Sequence, residues 1–325
     1  MLLDKFGRIA EKLRLSVTDR CNYRCIFCMP NNPEFYREDD ILSLDEIFRV
    51  LNIFKDLGIN ELKLTGGEPL LRPDLEKIVR YASQIFREVS LTTNGYYLKE
   101  KAKALKQSGL KRINVSLHSL KRDKYYKITG IDGLFKVIEG LSEAKILGFD
   151  EIKINVTLIR GLNEDEIFDF LDFSKRTGFT VRFLEYEPFD GNGGWSASKV
   201  FTTAEVLKTI STRYSIKRLD RSPHSTAEYY YIKDLDLKFG AISSISAPFC
   251  KDCNRVRVTA NGEFLPCMYS VKGINLKRLM REGKSDDEIK NAIINSYKDK
   301  FEGVISLVKE NKIPNNVMPM FKLGG

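Results

Sequence analysis

The chain has 325 residues, 42% of them hydrophobic and 30% charged, with 22 Gly and 10 Pro. That length fits one large α/β barrel or two smaller domains with a sizeable core, and the composition excludes a disordered, collagen-like or linker-like chain. The net charge of +9, from 53 Lys+Arg against 44 Asp+Glu, attracts anions in general, but the basic residues are spread along the chain and form no nucleic-acid-binding tail.

Strand-then-helix units recur from the start. Strands are predicted over 12–18, 61–65, 89–93, 112–118, 151–159 and 180–187. The helices between them begin at Ser43, where Glu46 completes a capping box, and continue over 73–87, 99–108, 133–147 and 164–176. Six β/α units in series imply a parallel sheet with right-handed crossovers, two units short of a full barrel. Leu13, Leu15 and Val17 alternate with Arg14, Ser16 and Thr18, and the next four strands alternate in the same way. A closed barrel packs its interior with branched aliphatics; here one face is polar throughout. The helices must then cover the apolar face, leaving the polar face to line a wide, wet cavity. Arg14, Lys63 and Lys153 would point into it, which suits a large anionic ligand.

After Gly191 the pattern changes to a helix at 203–213, strands at 227–233 and 237–243, a hairpin turn Ala260-Asn261-Gly262 and helices at 275–281 and 286–301. The expected architecture is an incomplete six-fold (β/α) TIM-like barrel over residues 1–195, with a smaller C-terminal α+β module over 196–325 covering its open side. Residues 314–322 are too rich in Pro, Asn and Met for a helix and too apolar for a solvated tail. They are expected to pack along the protein and deliver Gly324 and Gly325, which lack a Cβ, into a narrow channel. No apolar run approaches the ~18 residues of a membrane span. The opening residues are too short and acidic for a signal peptide, so a cytoplasmic location is expected.

The six cysteines fall in two triplets, Cys21, Cys25, Cys28 and Cys250, Cys253, Cys267. In a reducing compartment such clusters read as metal sites rather than disulfides. A closed zinc site needs four ligands. Each triplet supplies three, and the only histidines, His118 and His224, stand at no zinc-finger spacing. Two [4Fe–4S] clusters, each with one iron left for a non-protein ligand, fit better.

Cys21-x3-Cys25-x2-Cys28 with Phe27 before the last cysteine resembles the signature of the radical S-adenosylmethionine enzymes, and Gly66-Gly67-Glu68-Pro69 resembles their second motif. Leu13 through Asn22, Leu91-Thr92-Thr93-Asn94-Gly95, Arg112 through Leu117, Gly191-Asn192 with Trp195, Cys250-x2-Cys253-Asn254-Arg255-Val256-Arg257 with Cys267, and the final Gly-Gly together resemble the MoaA family of GTP 3′,8-cyclases, which open molybdenum cofactor biosynthesis. The resemblance implies metal ligands at both cysteine triplets and S-adenosylmethionine contacts at Phe27, Gly67, Ser116 and the Glu187 backbone. It implies GTP contacts at Arg14, Lys63, Thr92, Lys153, Arg255 and Arg257, and a catalytic role for Gly324 and Gly325. It further implies an external electron donor and a downstream cyclic pyranopterin monophosphate synthase as functional partner, with no nucleic acid or membrane partner; a homodimer stays open. Lys63, His118 and Glu187 depart from the family pattern, where Arg, Asp and an apolar residue are usual. Arg182 either reaches a cofactor or substrate carboxylate or pairs with Glu185 or Glu187. A peptide-modifying radical enzyme and a zinc-dependent nucleic-acid-binding protein are the rival readings.

Overall fold

A computed structural model describes residues 1–304 and 318–325. The alternation read from the sequence forms β1 (Lys12–Ser16), β2 (Glu61–Thr65), β3 (Glu88–Thr93), β4 (Arg112–Ser116), β5 (Glu151–Leu158) and β6 (Thr180–Glu185). Between them lie α1 (Leu44–Asp56), α2 (Leu75–Ile85), α3 (Leu98–Gln107), α4 (Arg122–Thr129), α5 (Leu134–Ile146) and α6 (Ile167–Thr177). The capping box is formed: Ser43 Oγ accepts from Glu46 N, and the Glu46 carboxylate accepts from Ser43 N. Leu13, Leu15, Leu62, Leu64, Ile113, Val115, Ile154 and Val156 are all essentially buried and share one core with the helices' inner faces.

The second half supplies α7 (Thr203–Ser211), β7 (Ile216–Arg218), β8 (Glu228–Ile232), β9 (Leu237–Ile242), β10 (Arg255–Val258), β11 (Glu263–Leu265), β12 (Ile274–Asn275), α8 (Leu276–Arg281) and α9 (Asp286–Lys298). Its strands do more than cover the sheet; they continue it. β10 pairs in parallel with β1, and β9 in parallel with β6, so a single 12-stranded sheet runs β12-β11-β10-β1-β2-β3-β4-β5-β6-β9-β8-β7. Eight consecutive strands of that order, β10 through β9, are parallel. β9 and β10 are not paired with each other, so the barrel stays open.

The expectation of a non-helical tail is corrected at its end, where Met320–Leu323 forms one turn of helix. A single turn needs only Pro319 at its start and the bond from Gly324 N to Met320 O, so composition is a poor guide to it. Residues 314–317 of that segment lie outside the described residues. Phe321 and Leu323 are buried, and Phe321 meets Phe35 edge-on at 5.6 Å between ring centres. No helix among the described residues is long and apolar enough to cross a membrane.

Candidate active site

The polar ends of the parallel strands surround a cavity of about 270 Å³. All six cysteines line it, so chain segments more than 200 residues apart in sequence meet on one hollow. Cys21, Cys25 and Cys28 follow β1 at the strand ends where β/α enzymes carry their chemistry. Burial pushes the Cys21 thiol up to about 12 and raises those of Cys25 and Cys28, the neighbouring thiols adding to the rise for the latter two. Burial also raises Cys250 and Cys267. Cys253 differs: burial opposes ionisation, but the charges of Arg255 and Lys300 bring its thiol down to about 6. Each triplet is therefore a set of three thiols facing a shared space, the donor set that an iron–sulfur cluster with one open iron requires. Among the described residues, no three His, Cys, Asp or Glu side chains are arranged to hold a single metal ion.

Gly66 and Gly67 are fixed by packing. Gly67 N donates to Thr18 O at 2.7 Å, and a Cβ on Gly67 would stand 2.7 Å from the Arg20 carbonyl carbon. Glycine here lets the second motif lie flat against the backbone entering the cysteine loop. Glu68 then ties the motif to β3, its buried carboxylate accepting from Leu70 N, Thr93 Oγ1 and Asn94 N at 3.0, 2.6 and 2.7 Å. Burial outweighs those donors and pushes its carboxyl up to about 7. Asn94 Nδ2 donates to Asn22 Oδ1 at 2.9 Å and lies 3.9 Å from Cys21 Sγ. Strand alternation already sets Asn94 on the polar face, and its side chain faces the first cysteine loop; the role of Glu68 inside its motif is visible only in the structure.

Of the remaining expected site residues, Arg14, Phe27, Lys63, Thr92, Ser116, Glu187, Arg255, Arg257 and Gly325 line the same cavity. Gly324 lies beside it, its carbonyl accepting from Arg257 Nη1 at 2.5 Å. A Cβ on Gly324 would crowd Thr65 and Ser16, and the residue's φ of +77° is one that glycine adopts without strain. Lys153 is not brought in. It lines an adjoining cavity with Arg112 and Glu151, and its Nζ pairs with Glu151 at 2.7 Å. The register explains this: Asn155 is the β5 residue level with Arg182, and Lys153 sits one same-face step nearer the strand's start. The two cavities share Arg14, Lys63, Arg182 and Arg255 as common walls.

Charge is the outstanding property of this wall. Burial and the neighbouring Arg257 and Arg255 pull the Arg14 guanidinium down, and burial with Arg14 and Arg182 pulls Lys63 down. Arg14 Nε is buried with no hydrogen-bond partner among the described residues. Glu187 faces these arginines, and its carboxyl is nonetheless raised by burial. Arg182 makes neither expected salt bridge. It donates to Asn155 Oδ1 and Asn114 Oδ1, both at 2.6 Å. Glu185 instead accepts from Thr203 N, Ile245 N and Ser246 N at 2.9, 2.8 and 2.8 Å. His118 accepts from Thr157 N at Nδ1, 3.1 Å, and meets the Phe27 ring edge-on at 4.6 Å. His224 is exposed at the surface, its Nδ1 2.8 Å from Asp252 O.

The chain matches the Radical SAM superfamily over residues 15–174 and the family described as Molybdenum Cofactor Synthesis C over residues 179–304. The GTP 3′,8-cyclase of Aquifex aeolicus is 41% identical over the full length of both chains. That of Nautilia profundicola is 41% identical over 91% of this chain and 93% of its own, and that of Thermodesulfovibrio yellowstonii 36% identical over 99% of each. Among solved structures, Streptococcus suis SuiB bound to S-adenosylmethionine superposes with a TM-score of 0.64 at 18% identity, covering 92% of this chain and 68% of that one, a likeness of fold.

Proposed function

Since the chain belongs to the GTP 3′,8-cyclase family, we propose that it converts GTP to 3′,8-cyclo-7,8-dihydro-GTP, the first step of molybdenum cofactor biosynthesis, with two [4Fe–4S] clusters and S-adenosylmethionine. The observation that carries this reading is one cavity that joins two thiol triplets to a wall of Arg14, Lys63, Arg182, Arg255 and Arg257. Such a wall calls for a polyanion, and the unpartnered Arg14 Nε marks where its oxygens would sit.

Cys21, Cys25 and Cys28 would hold the first cluster, and Cys250, Cys253 and Cys267 the second, on the side of the cavity that the guanine would occupy. Together, the first cluster and S-adenosylmethionine would supply the radical chemistry that removes the ribose 3′ hydrogen. The protein's own work is binding and orientation. Phe27, Gly67, Ser116 and the Glu187 backbone seat S-adenosylmethionine, while Arg14, Lys63, Thr92, Arg255 and Arg257 grip the triphosphate. Lys153 would act from the adjoining cavity. Held this way, the ribose 3′ carbon and guanine C8 would be brought together, the usual source of large effective concentrations. Phe27, Met268 and Met320 also line the cavity and exclude water from the reacting centre. Gly324 and Gly325 bring the tail against Arg257, one of the triphosphate's own ligands. The reaction also needs an external electron donor, and its product calls for a cyclic pyranopterin monophosphate synthase downstream, both in the cytoplasm.

The test is anaerobic turnover with GTP deuterated at the ribose 3′ position. Mass spectrometry should find one deuterium in the 5′-deoxyadenosine and a cyclised nucleotide that elutes apart from GTP. Unlabelled 5′-deoxyadenosine would overturn the reading.

A further inference from the structure

Lys300 is only 3% exposed, an unusual place for an ammonium. Its Nζ donates to the Arg255 carbonyl at 3.0 Å and lies 3.7 Å from Cys253 Sγ, within hydrogen-bond reach of sulfur. Among the described residues it forms no ion pair with a carboxylate; besides the Arg255 carbonyl, its Nζ faces the Cys253 sulfur and the Tyr297 ring, 5.1 Å from the ring centre.

The segment carrying Lys300 is clamped in place from the other end of the chain. Arg8 is itself buried and held by Asp4, Nε to Oδ2 at 2.6 Å. Its guanidinium donates to three carbonyls, Cys250 at 2.9 Å, Phe301 at 2.7 Å and Glu302 at 2.6 Å. One planar group thus joins the second cysteine loop to the residues just after Lys300. Gly303 completes the contact, lying so near Cys250 that a Cβ there would be 2.8 Å from its Sγ.

We propose that Lys300 is a positioning residue of the second cluster: its ammonium donates a hydrogen bond to the Cys253 thiolate sulfur and holds the cluster's reduction potential above the value that the three thiolates alone would set, with Arg8 fixing the segment that delivers it. The inference rests on the reading that Cys250, Cys253 and Cys267 carry an iron–sulfur cluster. Reduction adds one negative charge to a site already carrying three thiolates. A fixed buried cation in hydrogen-bond contact with one of those sulfurs stabilises the reduced form more than the oxidised one, and so raises the potential.

The experiment uses the full chain with Cys21, Cys25 and Cys28 replaced by Ala, reconstituted anaerobically with iron and sulfide so that only the second site is loaded. Iron and sulfide content, circular dichroism, and a dithionite titration followed by electron paramagnetic resonance are measured for this parent and for Lys300→Met, Lys300→Gln and Lys300→Arg. The Met and Gln variants should keep the fold and the parent's iron content while their midpoint potentials move to more negative values, and Lys300→Arg should recover part of the shift. If Lys300→Met does not retain iron, Lys300→Gln, which still offers a neutral donor to the Arg255 carbonyl, carries the comparison. A loaded cluster whose potential is the same in the parent and the neutral variants overturns the role of Lys300 and leaves the cluster reading standing. A parent that takes up no iron and sulfide overturns the cluster reading and this inference with it.

Discussion

Arg257 touches both the cavity and the tail, and it is the most telling single side chain of the site. Replacing it with Ala removes a charged donor from the proposed triphosphate grip, and a hydrogen bond of that kind is worth roughly 1.5–3 kcal/mol. Calorimetric GTP affinity should therefore fall about ten- to a hundredfold while the fold survives. His118 makes the opposite kind of prediction. Burial drives its pKa down to about 3, far below the ordinary histidine value of about 6.5, and Thr157 N–H occupies Nδ1, so the ring is neutral with its proton on Nε2. Between those two values the unfolded chain binds a proton that the folded chain does not. The stability this ring contributes is thus fully present above about pH 6.5 and is lost as pH falls toward 3. Ring resonances of His118 should not move between pH 8 and 5, and the urea midpoint should drop less on acidification in His118→Gln than in the parent. Most of these side chains were legible because strand alternation alone put Arg14, Lys63, Thr92 and Ser116 on one face. Lys153 shows the limit of that reasoning. Parity gives the face of a strand, but height along it depends on register, which only the pairing of β5 with β6 sets.

The six barrel strands were readable from alternation, yet four of them were drawn too long at their C-terminal ends, as at 117–118 and 186–187. There the backbone ladder stops at Ser16, Ser116, Leu158 and Glu185, and the chain turns away with His118, Tyr186 and Glu187 still lining the cavity. α4 (Arg122–Thr129) escaped notice because only Tyr125, Ile128 and Thr129 of its eight residues are buried, too narrow a stripe to reveal a period. β7 (Ile216–Arg218) has three largely exposed residues at a sheet edge and offers no pattern at all. Where a local rule is complete, prediction is sharp, and α1 is the case in point. Its capping box is exposed and remote from the cavity, so Ser43→Ala should cost about 1 kcal/mol. A lowered thermal midpoint with unchanged turnover would bear this out.

The whole molecule brings sequence-distant pieces onto one cavity, and the tail is the clearest instance. Met320 N donates to Phe189 O at 3.0 Å, Leu323 is fully buried, and Gly324 sits against Thr65 and Ser16 with its carbonyl on Arg257. Deleting Gly324 and Gly325 should leave the fold, both clusters and GTP affinity nearly intact, yet strongly slow GTP-dependent formation of 5′-deoxyadenosine. Wild-type rates in the truncated protein would exclude a role for the tail. How the second half joins the sheet was not legible, since nothing local in Arg255–Val258 names β1 as its neighbour. That pairing has a consequence during synthesis. As the nascent chain leaves the ribosome, β1 and β6 are bare edges until β10 and β9 have been made, and the first cysteine loop hangs from one of them. Unpaired edges invite association with other chains. The half-made protein is thus a natural client for chaperones, and its first three thiols stand open to oxidants until the far strands arrive.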